Sequence, residues 1–279
     1  MLRQSLAIVQ ILSLDVVLGA IVSSMFVAKY LGLTIPLPWL SALAIAVWLI
    51  YTADHLVDAK KIKHNAHTAR HRYHQRYFKS ISLAWFIIAF LGLYNLFYLP
   101  VELVLWGAAL SGLVGLYLLL IRLLSDTRFF HKEFVIAFLY VSGIFLAPLY
   151  RYNDVPSLLT FIFFGQYFLL ALTNVLLISF YEKDTDRTDG HRSFVLVAGD
   201  RATLLIIRIC LALLYSSALL GVIFFTSVTK FFYLQPILLL MGATLHLLIL
   251  KHSYFSKNKS HRLWADAIFY YPILYLLIY

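Results

Sequence analysis

Long apolar runs alternate with short polar stretches along the whole chain. Each run approaches the roughly 20 mostly apolar residues that a helix needs to cross a bilayer. Nine such runs are read, at 5–28, 36–57, 80–99, 102–122, 134–151, 157–180, 202–226, 231–250 and 264–279. Pro36, Pro38, Pro100 and Pro156 fall at or near starts, where proline is tolerated. The last run ends in Tyr270, Tyr271, Tyr275 and Tyr279, residues that suit a membrane interface. The first opens directly with MLRQSLAIVQ and shows no small-residue cleavage site, so it reads as a retained helix. The pattern predicts an all-α, polytopic membrane bundle of nine transmembrane helices, one domain over 1–279.

Composition agrees and narrows the class. With 62% hydrophobic and only 13% charged residues, the chain is not a soluble globular domain. Its one cysteine, Cys210, lies inside an apolar run, which leaves no disulfide framework and no thiolate metal site. The net charge of +10 matters for where it lies. Of the 23 Lys and Arg residues, 19 fall at one set of segment ends, 3 at the opposite set, and Arg208 within a span. Positive charge is retained on the cytoplasmic side. The split predicts an odd number of spans, a cytoplasmic N-terminus and an outer C-terminus.

Two polar stretches stand out on the basic side, WLIYTADHLVD over 48–58 and FYEKDTDRTDGHRS over 180–193. Each ends a long apolar run, and each carries two acids four residues apart, Asp54 with Asp58 and Glu182 with Asp186. That spacing is about one helical turn, so each pair shares a face. Both pairs sit at a helix C-terminus, where the macrodipole disfavours negative charge. A cation between them would compensate. A solvated, salt-bridged loop is the plain reading of one such cluster. Two with matched spacing favour a divalent-metal site, and hard carboxylate oxygens suit Mg²⁺ with substrate phosphates. The nearby Lys132, Lys183, Arg192, Arg70 and Arg72 are then candidate phosphate ligands.

The two stretches resemble the aspartate-rich motifs of the UbiA superfamily of intramembrane aromatic prenyltransferases. The family's first motif runs roughly N-D-x-x-D-x-x-x-D. Asp54 and Asp58 hold its last two acids, and Ile50 and Tyr51 replace the leading Asn-Asp. The second motif runs roughly D-x-x-x-D-x-x-x-G-x-x-T/S, matched by Glu182, Asp186, Gly190 and Ser193, with glutamate for the first aspartate. DTDRTDGHRS is similar to ETDRAAGKRT of the menaquinone and phylloquinone branch. The resemblance implies Mg²⁺ held by Asp54, Asp58, Glu182 and Asp186 as catalytic ligands of an isoprenyl diphosphate. Ionisation of the C1–O bond and attack by an aromatic or other lipid-soluble acceptor would follow. Lys132 matches a diphosphate-contacting lysine, and Arg70 and Arg72 resemble the basic end of the extended first motif. The implied setting is membrane lipid, with the active site at the cytoplasmic face of a bacterial plasma membrane and no nucleic-acid partner.

Other residues bear on the same side. Asp15 lies within the first run, and an intramembrane acid is either functional or bonded to a neighbouring helix. Asn174, eight residues before Glu182, is placed either to bond a substrate headgroup or to bond another helix. His64, His67, His71 and His74 would make one stripe on a helix, best read as an amphipathic segment at the headgroup surface, with zinc as the alternative. Lys257, Lys259 and Arg262 read as facing anionic lipid. A non-catalytic protein that binds or transports a polar lipid headgroup or a divalent ion is the competing functional class. A CDP-alcohol phosphotransferase is disfavoured, because no D-G-x-x-A-R run occurs.

Overall fold

A computed structural model describes residues 8–62, 66–123, 132–190, 193–225 and 228–278. Among them every regular element is helical. The main helices are α1 (Leu14–Tyr30), α2 (Leu37–Lys61), α4 (Phe78–Asn95), α5 (Val101–Leu123), α6 (Lys132–Arg151), α7 (Leu158–Asp189), α8 (Phe194–Phe224) and α9 (Thr229–Leu250). Short helices α3 (Ala69–Arg76), α10 (His252–Lys257), α11 (His261–Ala267) and α12 (Ile273–Ile278) fill the connections and the C-terminal segment.

Six helices are long and apolar enough to cross a membrane: those at Leu37–Lys60, Phe78–Tyr98, Lys132–Arg151, Leu158–Asp189, Phe194–Phe224 and Thr229–Leu250. Two of the other three expected runs take different forms. The first is interrupted at Ser13, whose φ of 56° leaves α1 with 17 residues. The run expected at 102–122 is the single helix α5, Val101–Leu123. The last divides into α11, a 3₁₀ turn at Ile268–Tyr270, and α12. Pro272 at that break cannot donate to a continuing helix.

Local chemistry sets the ends of these helices. Pro36 and Pro38 open α2. Ser157 caps α7 by accepting the Thr160 N–H, and Thr68 caps α3 by accepting the His71 N–H. At the far end of α7, Gly190 takes a φ of 74° and donates its N–H to the Asp186 carbonyl. That left-handed C-cap needs glycine, so the glycine of the second acidic stretch has a backbone reason to be there.

α1 packs against α2, α6, α9 and the C-terminal segment, and α7 against α6, α8, α9 and α11. α4 and α5 form the outer flank. Ile81 is the buried residue of α4, while Phe86, Phe90, Leu105 and Trp106 are exposed, as a lipid-facing surface requires. An aromatic part of the core lies toward the Leu158 end of α7. There Phe26, Phe145, Phe163, Tyr167 and Tyr275 are fully buried, and the Phe26–Phe163 and Phe145–Phe163 rings meet edge-on at 5.3 Å.

One polar link ties this core together. The Gln166 amide donates to Gln235 Oε1 at 2.9 Å and to Ser217 Oγ at 3.2 Å, joining α7 to α9 and α8. Both glutamines are buried, and a buried amide without its partner keeps its desolvation cost. Gln166→Leu or Gln235→Leu alone is expected to cost about 1–2 kcal/mol, and the double variant less than the sum. A double-mutant cycle by denaturant or thermal unfolding in detergent checks this.

Candidate functional site: a buried charge network at the acidic helix ends

Neither acidic stretch is a free patch of carboxylates. On α2, Tyr51 and His55 are one turn apart, and His55 is buried whereas Asp54 is exposed. Asp54 lies within electrostatic reach of Tyr51 and of Tyr117 on α5. Asp58 and Asp186 are half-buried. Glu182, on α7, is gripped by Arg262, whose NH1 reaches its two carboxylate oxygens at 3.0 and 3.1 Å. His261 Nε2 stands 3.6 Å from the same carboxylate, and its ring stacks on Tyr181 at 4.5 Å with 2° between the planes. Arg262 Nε also lies 3.9 Å from Asp266, one turn along α11.

Arg70 enters the same space from α3. Its NH2 donates to the Gln10 carbonyl at 2.7 Å and its NH1 to His55 Nε2 at 3.2 Å. Ser13 Oγ, at the break before α1, lies 3.3 Å from that ring nitrogen. A guanidinium only donates, so His55 Nε2 accepts and the ring proton sits on Nδ1. Arg70 and Arg262 interact electrostatically with each other and with Asp15, Glu182 and Asp266. Burial, then the like charge of Arg262, draws the Arg70 guanidinium down to about 10, still cationic at neutral pH. Burial opposes the charge on Arg262 too, but Glu182 and Asp266 outweigh it and hold that guanidinium above its ordinary value.

The loop after α2 closes against the end of α7. His67 Nδ1 meets Asp189 Oδ1 at 2.7 Å, and the His67 N–H reaches the same oxygen at 3.4 Å. Gln75 of α3 donates to the Ala59 and Ile62 carbonyls at 3.3 and 3.1 Å and accepts the Ala66 N–H, holding α3 across the C-terminus of α2. The two acidic helix ends therefore share one face of the bundle, with Arg70 reaching inward between them. Glu182 and Arg262 keep 22% and 28% of their side-chain surface accessible, and Tyr51 is half-buried.

The residues singled out from the sequence divide accordingly. Glu182 and Arg70 belong to the network, whereas Arg72, two residues on, is exposed on the outer side of α3. Lys183 pairs with Asp200 of α8 at 2.5 Å. Lys132 starts α6 next to Glu133. Glu133 is buried and accepts the Phe194 N–H at 2.7 Å and the Ser179 hydroxyl at 3.3 Å, so Lys132 stands beside α7 one turn before Glu182. Asn174 Nδ2 donates to the Ala265 carbonyl at 2.6 Å, the interhelical alternative for this residue. Arg192 and His64 lie outside the described residues. Among the described residues no three His, Cys, Asp or Glu side chains gather as a metal site.

Arg262 is the main correction. It faces Glu182 inside the bundle, not lipid. The sequence did hold a trace of this: Arg262 and Asp266 are an opposite-charge pair one turn apart at the start of an apolar run. His55 and Asp266 were also missed as members of the site.

No protein-family model, curated protein or solved structure matches this chain.

Two measurements probe the network. Arg262→Gln leaves Glu182 and Asp266 without their shared cation, and breaking a buried pair from one side costs about 3 kcal/mol or more. Unfolding in detergent is expected to show a loss of that size, and Arg262→Lys a smaller one. The second follows from His74, buried against Arg70, whose Nδ1–H donates to the Arg70 carbonyl at 2.9 Å. Burial lowers its pKa below the ordinary imidazole value, despite the opposing hydrogen bond. The unfolded chain then binds the proton more readily. Stability is full above the unfolded pKa of about 6.5 and falls as pH drops from there through the folded value. Unfolding midpoints from pH 8 to 5 are expected to decline, with a shallower slope in His74→Gln.

Proposed function

We propose that this protein is a UbiA-type membrane prenyltransferase, moving an isoprenyl group from its diphosphate to a lipid-soluble aromatic acceptor. The observation that supports it most is that the two acidic helix ends, of α2 and α7, share one face of the bundle with Arg70 and Arg262 beside them. A diphosphate carries several negative charges and is bound by guanidinium groups and hard cations. An isoprenyl tail needs an apolar channel, and the helical bundle beneath the polar layer is apolar and aromatic.

Mg²⁺ binding is consistent with these residues in one particular way. The ion characteristically takes one or two carboxylates and completes its shell with phosphate oxygens and water. Asp54 with Asp58, and Glu182 with Asp186, are two such pairs, each one turn apart on its helix. A cage built wholly from protein would need three or more such ligands together, and none is formed among the described residues. When bound, the ion would neutralise charge developing on the departing diphosphate. The chain's own part is clear in outline. Arg70 and Arg262 orient the diphosphate, Glu182 exchanges its arginine partner as the anion arrives, and the surrounding helices exclude water from the allylic carbon. Tyr51 stands where the family has a metal-binding acid, and an aromatic ring there suits a passing carbocation.

Nine passes, with a cytoplasmic N-terminus, form part of the same proposal. The six long apolar helices supply six, and the 8–30 region, α5 and the broken 261–278 segment supply three. The concentration of Lys and Arg at one set of ends orients them.

One observation favours a second reading. Glu182 is already charge-balanced by Arg262, which suits a protein that binds a polar headgroup without consuming it. Purified protein in lipid nanodiscs, given prenyl diphosphates of graded length with Mg²⁺ and a hydroxyaromatic mixture, discriminates the two. Transfer predicts Mg²⁺-dependent diphosphate release that stops with a chelator. Asp186→Ala and Asp58→Ala should lower it by roughly 100-fold or more. Binding of the diphosphate without turnover under every condition would leave only the second reading.

A further inference from the structure

α3 has two unlike faces. Arg70 and His74, one turn apart, are buried against the bundle. Arg72 and Arg76, also one turn apart, are exposed on the opposite face. Tyr77 and Phe78 follow at 40% and 36% exposure, and Lys79 is exposed in the first turn of α4. The outer face is therefore three cations with aromatic rings between them. The Tyr73 and Tyr77 rings meet at 4.6 Å, and the Arg76 guanidinium lies 5.5 Å from the centre of the Tyr77 ring.

No acid of the same stretch balances this charge, because no Asp or Glu occurs between Asp58 and Glu102. Arg72, Arg76 and Lys79 form no ion pair with another described residue. Like charges one turn apart weaken a helix, and one of eight residues is marginal by itself. The inner face is held, by the Arg70 bonds to the Gln10 carbonyl and His55 and by Gln75 at the end of α2. The outer face needs an anionic counterpart from outside the chain. Its place in the fold says which. α4 begins at Phe78 and is long and apolar enough to cross a membrane. Leu83, Phe86, Ile87 and Phe90, further along it, are exposed as lipid tails require. Arg76, Tyr77 and Lys79 thus fall at the end of a span, where tyrosine rings sit at headgroup depth and basic side chains reach lipid phosphates.

We propose that the outer face of α3 docks on the headgroups of anionic phospholipid, and that this contact keeps Arg70 inside the bundle. Guanidinium groups bind phosphate oxygens in pairs, and an anionic leaflet attracts each basic residue near its surface. One short helix carries both faces, so lipid on the outside and the charge network on the inside stabilise the same position of α3. The docking concerns the bilayer around the protein and does not rest on the function proposed above.

Hydrogen exchange of the full-length protein in nanodiscs tests this, with discs of phosphatidylcholine alone or of equal parts phosphatidylcholine and phosphatidylglycerol. The amides of 72–77 are the reporters; Arg72 N–H donates to the Thr68 carbonyl at 3.1 Å and Tyr77 N–H to the Tyr73 carbonyl at 2.9 Å. They should exchange roughly ten-fold more slowly in the anionic discs. The difference should shrink at about 1 M salt, where the Debye length is about 3 Å. Arg72→Gln, Arg76→Gln and Lys79→Gln combined should abolish it. Arg201→Gln, Lys251→Gln and Lys257→Gln combined remove as much charge elsewhere and should leave it intact. Labelling of Arg70 by phenylglyoxal, resolved by peptide mass, should slow in the anionic discs as well. Equal exchange in the two kinds of disc, or loss of the difference in the 201/251/257 variant, would overturn the docking. So would equal slowing by soluble glycerol phosphate in phosphatidylcholine discs, which would mark a site for a free anion. Arg70 labelling indifferent to lipid would overturn the link to the inner face.

Discussion

Two arginines and three carboxylates meet inside a bundle made largely of apolar side chains. Arg262 holds Glu182 and Asp266, and Arg70 lies near Asp15. Charges taken out of water are tolerated only when each finds an opposite charge and hydrogen bonds. That constraint draws four separate pieces of chain to one place. α7 brings Glu182, α11 brings Arg262 and Asp266, α3 brings Arg70, and α1 brings Asp15. The broken form of the C-terminal segment has its sense here. A straight apolar helix would present one face along its length, whereas a short helix, a 3₁₀ turn and a proline let α11 turn its polar residues inward.

The same network explains why the acidic helix ends are not simply solvated. Carboxylates at a helix C-terminus repel the nearby carbonyls, and those at the end of α7 have partners from elsewhere. Glu182 has Arg262 and His261; Asp189 has His67. Under the function proposed here, a diphosphate would enter as an exchange of partners within an existing set of charges. That exchange costs less than assembling charges from an empty cavity, because the arginines are held in place in advance.

Much of this was legible along the chain. Runs of about twenty apolar residues need no partner to be recognised, because the bilayer tests each segment separately. Six of the nine runs stand as long apolar helices within a residue or a few of their expected limits at most ends. α7 and α8 extend well past theirs at their polar ends, and α8 kinks at Gly199. The acid spacing on α2 and α7 and the glycine that ends α7 were likewise local properties, and both appear in the fold; of the described stripe histidines, His71 and His74 lie on α3 and His67 precedes it.

What the chain by itself determined, then, was the helical class, the apolar segments and the placement of acids one turn apart at their ends, since each depends on neighbours within a turn or a run. Only the tertiary structure decided which charges meet. Glu182 and Arg262 are 80 positions apart, and Tyr270 and Asp15 are 255 apart. No periodicity reports such pairs, because a charged side chain in an apolar fold is directed by whichever opposite charge the packing brings within reach. That is why Arg262, which hydropathy sends to the membrane surface, lies inside the bundle, and why Lys183, adjacent to a site residue, pairs with Asp200.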